Sequence, residues 1–248
     1  MTGQPGIIDR PTVSILLVDD SAHARELFAG AIRERLGYSV EAVTSPEEVT
    51  QDFIGSRRID AAVVDLASGS RSETGTDALL RLNLLQPKTK LVGVTNSCGP
   101  VDNVTRDAWE ALPLASVLSK RSSVQYQLDT ITSVVRFGRA SPDPSLTLPT
   151  CKSPWRTLDG FERLVQHKGH AKLWKSVLAC GPNANYLDLA LHSGLRLNAL
   201  RNYRAQLLPE LALRGVRNPR MRDLYQFARR CRPFLTPFML AKGVTFDE

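Results

Sequence analysis

Four short apolar runs, each closed by a polar or charged residue, constrain this 248-residue chain more than any other feature. SILLVDD ends on Asp19 and Asp20, AAVVD on Asp65, LVGVT on Thr95, and SVLSK on Lys120. Short runs of this kind, set between amphipathic stretches, read as fully buried strands. Packing alone gives no reason for each to stop at a carboxylate, a hydroxyl or an ammonium. The repeat predicts one site assembled along one edge of a sheet.

The stretches between the runs read as helices. Ala24, Leu27, Phe28, Ala31 and Ile32 recur at three- and four-residue spacing. Pro46 opens a second helix, with Glu47 and Glu48 in its first turn. Further helices are predicted over residues 76–85 and 101–112, and a last one carries Val124, Leu128, Ile131 and Val135 on one face. Strands are predicted at 15–18, 40–43, 61–64, 91–94 and 117–118. Strand and helix in alternation imply a parallel sheet with helices on both faces. Residues 138–154 hold four prolines and little periodicity, so they read as a linker. Beyond Trp155 only helices are predicted, over 158–166, 171–179, 185–192, 197–213 and 219–231. The expected domains are therefore 1–137, a linker at 138–154, and 155–248.

Charge divides the chain in the same place. Residues 1–150 carry 15 basic and 18 acidic side chains, and residues 151–248 carry 17 and 7. A net +10 on the second half points to a polyanionic partner, although a merely soluble basic surface fits the count too. No run of about 18 apolar residues occurs, and the N terminus lacks the pattern of a secretion signal, so a cytoplasmic protein without a membrane span is expected. The four scattered cysteines suggest neither zinc nor a disulfide framework. His167 and His170 lack acidic or cysteine companions and read as loop histidines rather than metal ligands.

In an open parallel sheet, ligands bind beyond the carboxyl ends of the strands. Asp19, Asp20, Asp65, Thr95 and Lys120 would meet there. Crowded carboxylates repel unless a cation is present, and Mg²⁺ prefers their oxygens and bridges to phosphate. A carboxylate beside Mg²⁺, a lysine and a hydroxyl can attack a phosphoryl group. All five residues, in this order, resemble the receiver domain of bacterial two-component response regulators over about residues 13–137. The resemblance implies a five-stranded, doubly wound, flavodoxin-like domain. It implies that Asp65 accepts phosphate from a sensor histidine kinase, and that Asp20, Asp65 and the Ala67 carbonyl hold Mg²⁺ with Asp19 assisting. Lys120 would contact the phosphoryl group, and Thr95 would turn toward it. The chain departs from the family's pattern at Val117, where an aromatic switch residue is usual, at Arg121, at Asn96, and in the loop after Asp65.

In the basic half, YLDLALHSGLRLNALRNYRA places Gly194, Leu200 and Tyr203 four, ten and thirteen residues after Ala190. That spacing suits a helix-turn-helix, with a small residue at the crossing, a glycine in the turn and apolar residues inside. Leu187 and Leu195 fill the remaining inner positions. The stretch resembles DNA-binding helix-turn-helix domains, and loosely the LuxR-type output domain. An unusual four- or five-helix output domain fits equally well. Arg196, Asn198, Arg201, Asn202 and Arg204 would face base edges, while Arg214, Arg217, Arg220, Arg222, Arg229, Arg230 and Arg232 would meet phosphates. The expected protein is a DNA-binding transcription regulator, homodimeric on double-stranded DNA, with RNA polymerase as a further candidate partner. It is not expected to be an enzyme, beyond promoting its own Mg²⁺-dependent phosphorylation and dephosphorylation. Two alternatives stay open: a receiver that works without phosphorylation, and a basic domain that grips an acidic protein instead of DNA.

Overall fold

The computed structural model describes residues 12–68 and 73–245. Two compact units emerge: residues up to Pro100 with Leu114–Leu146, and Val101–Pro113 with Thr147 onward. In chain order the first contains β1 (Ser14–Val18), α1 (Ala22–Leu36), β2 (Ser39–Val43), a 3₁₀ turn (Pro46–Glu48), α2 (Gln51–Gly55), β3 (Ala61–Asp65), α3 (Gly75–Leu85) and β4 (Lys90–Thr95). A two-residue strand β5 (Gly99–Pro100) precedes α4 (Asn103–Ala111), β6 (Leu114–Ser119) and α5 (Val124–Phe137), and β7 (Leu146–Thr147) follows.

The main sheet is parallel throughout, in the order β2-β1-β3-β4-β6. Counting its own five strands, this is the 2-1-3-4-5 order of the flavodoxin-like doubly wound fold. β3 is buried at every residue, as a central strand covered on both faces must be. Ile15, Leu17, Val63, Val92, Val94 and Leu118 form one face, packed with Ala29 and Ile32 of α1 and Leu128, Ile131 and Val134 of α5. The strand runs were legible because both faces are buried. Two details differ from expectation. The helix opened by Pro46 stops after one 3₁₀ turn, and α2 restarts on an N-cap from Thr50, whose hydroxyl accepts from Phe53 N. β6 begins three residues earlier than its apolar run.

The expected linker is also different. Residues 140–143 run beside β6, with Ala140 N donating to Ala115 O (3.0 Å) and Asp143 N to Val117 O (2.8 Å). Backbone donors take up the free edge of the sheet, which would otherwise offer unpaired groups.

The second unit is helical. It contains α4, α6 (Leu158–Glu162), α7 (Lys168–Cys180), α8 (Tyr186–Ser193), α9 (Leu197–Leu213) and α10 (Met221–Ala241). α10 runs ten residues beyond its predicted end, through Pro233 and Pro237. Burial of Phe234, Leu235 and Met239 outweighs what two prolines cost a helix. Phe161 stacks on Phe234 with centroids 4.9 Å apart, and Trp174 lies 5.8 Å from Phe227 and donates Nε1–H to Leu164 O. The unexpected member is α4. Its Asp107, 2% exposed, pairs with Arg156 and with Arg230 (2.8 Å), while Glu110 accepts from Ser153 N at 2.7 Å. No helix among the described residues is long and apolar enough to cross a membrane.

Candidate functional site

The carboxyl ends of β1, β3, β4 and β6 bring the predicted residues together. One carboxylate oxygen from each of Asp19, Asp20 and Asp65 lies within 4.8 Å of the others. Lys120 Nζ sits between two of them, 2.8 Å from Asp19 and 2.7 Å from Asp65. Asp20 is exposed, whereas Asp19 and Asp65 are buried. Burial pushes the Asp65 carboxyl above its usual range, and the hydrogen bond from Lys120 offsets this only in part. Burial also works against the Lys120 ammonium, but its bonds to Asp19 and Asp65 outweigh that and raise its pKa. Local hydrogen bonds fix the carboxylates: Ala67 N donates to Asp65 Oδ1 (3.0 Å) and Ser21 N to Asp19 Oδ1 (2.9 Å).

These residues suit a hard divalent cation. Three carboxylates and one ammonium leave a charge of −2, and all the side-chain donors are oxygens. Asp19, Asp20 and Asp65, with the neighbouring Ala67 carbonyl, form the donor set that would hold it.

Thr95, 2% exposed, ends β4 in register with Ser119 of β6, on the strand next to Asp65. Its Oγ1 accepts from Ser97 N at 3.2 Å, and Ser97 O accepts from Ser119 Oγ at 2.9 Å. Asn96 points to solvent and Val117 is fully buried. Of the loop after Asp65, residues 69–72 lie outside the described residues.

Two positions that sequence reasoning missed belong to this site. A Cβ on Gly75, the first residue of α3, would lie 2.0 Å from the Asp65 carbonyl oxygen, so the helix can approach β3 this closely only with glycine there. Asp143 is 2% exposed and accepts from Ser119 N (3.2 Å), the Ser122 hydroxyl, Ser145 N (2.9 Å) and Ser145 Oγ (2.7 Å). Burial alone would raise its pKa, but these donors outweigh burial and lower it. Gly99 N in turn donates to Ser145 O at 2.7 Å. Asp143 thus ties together the residues flanking Lys120 and the loop that follows Thr95. The one signal for it was an aspartate between two prolines, which equally marks a turn.

The parallel 2-1-3-4-5 sheet is the flavodoxin-like doubly wound fold, here with an acidic pocket and a lysine at its carboxyl edge. Solved structures similar to this chain include response regulators and their receiver domains. One is a CheY-like receiver domain protein from Methanospirillum hungatei JF-1, at 21% identity and TM-score 0.44, covering 50% of this chain and 94% of that one. A LuxR-family two-component response regulator from Aurantimonas sp. SI85-9A1 is 24% identical at TM-score 0.46, covering 54% and 91%. A LuxR-family DNA-binding response regulator from Staphylococcus aureus is 14% identical at TM-score 0.44, covering 50% and 99%. No protein-family model matches the chain, and no curated protein does.

In the helical unit, α8 and α9 form the predicted helix-turn-helix. Gly194 takes φ 67° in the turn and donates its N–H to Ala190 O. Leu200 is fully buried, and Tyr203 packs against Gly169 and the rings of His167 and His170. Leu187 is not an inner residue: it is 60% exposed, as Leu191 is at 85%, while Leu189 is buried. Residues 187 and 191 share one helix face and 189 lies on another, so only one set can turn inward. Arg196, Asn198, Arg201 and Asn202 are exposed. Arg204 is not free for bases, because it donates to Pro219 O at 2.5 Å. Arg214 is buried, donating to Glu210 and to Gly160 O, and Arg230 faces Asp107, so neither is a phosphate contact. His167 and His170 are not loop residues: His167 N-caps α7, and buried His170 lies 3.0 Å from Gln206 Oε1.

Proposed function

We propose that this chain is a two-component response regulator: Asp65 takes a phosphoryl group from a sensor histidine kinase, and the basic helical unit binds double-stranded DNA to regulate transcription. The observation carrying the reading is Lys120 Nζ held within 2.8 Å of both Asp19 and Asp65 at the carboxyl edge of the sheet. Asp65 is the nucleophile, since of the two buried carboxylates it is the one that closes the central strand, β3. Lys120 neutralises it before transfer and then stays beside the incoming phosphoryl oxygens. Mg²⁺, when bound by the aspartates, would offset the charge of those oxygens. Thr95 ends the adjoining strand, placed to hydrogen-bond a phosphoryl oxygen on Asp65. Such a bond would compete with the one that Thr95 Oγ1 donates to Ser97 Oγ (3.2 Å) and so disturb the loop that Ser119, Ser145 and Asp143 hold. The protein acts as a switch and not on a separate substrate.

DNA binding is supported by the helix-turn-helix geometry, by exposed Arg196, Asn198, Arg201 and Asn202 on one helix, and by the excess of 17 basic over 7 acidic residues after position 150. The test combines both halves. Acetyl phosphate with Mg²⁺ should add one phosphoryl group to the wild type, seen by intact mass, and none to Asp65→Asn. Wild-type protein should bind duplex DNA at low salt, with an affinity that changes on phosphorylation. A wild type that takes up no phosphate from acetyl phosphate or from any kinase sinks the first half. Absence of duplex binding at low salt sinks the second.

A further inference from the structure

Four arginines of the helical unit are committed internally. Arg156 and Arg230 face Asp107, Arg214 faces Glu210, and Arg204 faces a backbone carbonyl. α7 is different. Lys168, Lys172 and Lys175 recur along it at spacings of four and three, so they share one face. With Ser176, they line a cavity of about 260 Å³ whose other walls are His192 and Ser193 from the end of α8 and residues 243–245. Among the described residues no carboxylate lines it, and α7 contains no acidic residue. Lys168 and Lys172 form no ion pair among the described residues.

The geometry points to this lysine row as the backbone-phosphate anchor of the DNA site, an inference that rests on the DNA-binding reading above. From Lys168 to Lys175 the helix rises about 10 Å, over which one strand of DNA presents roughly three phosphates. Lysine ammoniums on flexible stems suit such contacts, which position a protein without reading sequence. The cavity abuts the turn of the helix-turn-helix: Ser193 lines it, Gly194 makes the turn, and Arg196 caps α9. One module would then hold phosphates through α7 and offer Asn198, Arg201 and Asn202 of α9 to base edges. The arginines of α10 that sequence alone favoured are in part occupied.

The test measures the salt dependence of binding to a short random-sequence duplex, using full-length protein. Each lost phosphate contact lowers the slope of log affinity against log salt by about 0.9. Lys168→Gln/Lys172→Gln/Lys175→Gln should therefore flatten the wild-type slope by roughly 2 to 3, without changing base preference on a selected site. Single Lys168→Gln and Lys172→Gln variants, each flattening it by about 0.9, decide the matter if the triple variant melts early. An unchanged slope in variants that stay folded overturns the anchor while leaving DNA binding intact. Tight wild-type binding to polyglutamate with weak binding to duplex overturns it in favour of an acidic protein partner. No duplex binding by the wild type overturns the DNA reading and the anchor with it.

Discussion

At the scale of the residue, the site depends on how closely backbone and side chains approach Asp65. Gly75 is the sharpest case, because a Cβ there would lie 2.0 Å from the Asp65 carbonyl oxygen and 3.0 Å from a methyl of Val64. Backbone cannot yield as a flexible side chain can. Gly75→Ala should therefore destabilise the first unit by about 1–3 kcal/mol, read by urea denaturation, and slow phosphoryl uptake at Asp65. Unchanged stability and uptake would show that α3 shifts freely. The five polar strand ends were legible because a charged residue closing an apolar run is conspicuous in sequence. Gly75 was not, since its requirement comes from a carbonyl ten residues earlier that only the fold brings near. Arg204 and Arg214 misled for a related reason: nothing in the sequence marks which arginines meet internal acceptors at Pro219, Gly160 and Glu210.

At the scale of the element, the segment after α5 is an edge cover and not a tether. Its prolines suggested a linker, but proline removes only its own donor, and Ala140 and Asp143 keep theirs for β6. Asp143 then accepts four hydrogen bonds while almost wholly buried. Asp143→Ala strands these donors and should cost about 1–3 kcal/mol at neutral pH. Because the folded-state pKa of Asp143 is lowered, its contribution is complete above the unfolded value, near 3.9, and is lost as pH falls through the folded value. The stability gap between wild type and Asp143→Ala should hold steady from neutral pH to about 4 and close below it. A gap that instead closes between pH 7 and 5 would assign the effect to another group. On the function proposed above, the same segment would bear on signalling, since Val117 cannot swing as an aromatic residue would and its carbonyl accepts from Asp143 N. Asp143→Ala should still take up phosphate at Asp65, but its DNA affinity should respond less to phosphorylation than the wild type's.

At the scale of the whole molecule, the division of the chain is not the one its sequence suggests. Composition and charge place the boundary after about residue 150, and most of the helical unit does lie beyond it. Yet residues 101–113 belong to that unit too. This was not legible in advance, because Asp107 and Glu110 on an amphipathic helix read as a solvated face, and the arginines that bury Asp107 lie 49 and 123 residues further on. A buried carboxylate shared by two guanidiniums is costly to break, by about 3–5 kcal/mol when one partner is removed. Asp107→Ala in the full chain should lose about that much stability in the helical unit. A fragment of residues 147–248 carries Arg156 and Arg230 without their carboxylate, so it should melt well below the helical unit of the intact protein. Adding a peptide of residues 101–113 should then raise its melting temperature in a concentration-dependent way, since a ligand that binds only the folded form stabilises it. The same peptide with Asp107→Ala should not. A fragment as stable as the intact unit and indifferent to the peptide would mean that α4 is a passenger. Rescue by the peptide would mean that α4, although it lies between strands of the sheet in sequence, is a structural part of the helical unit.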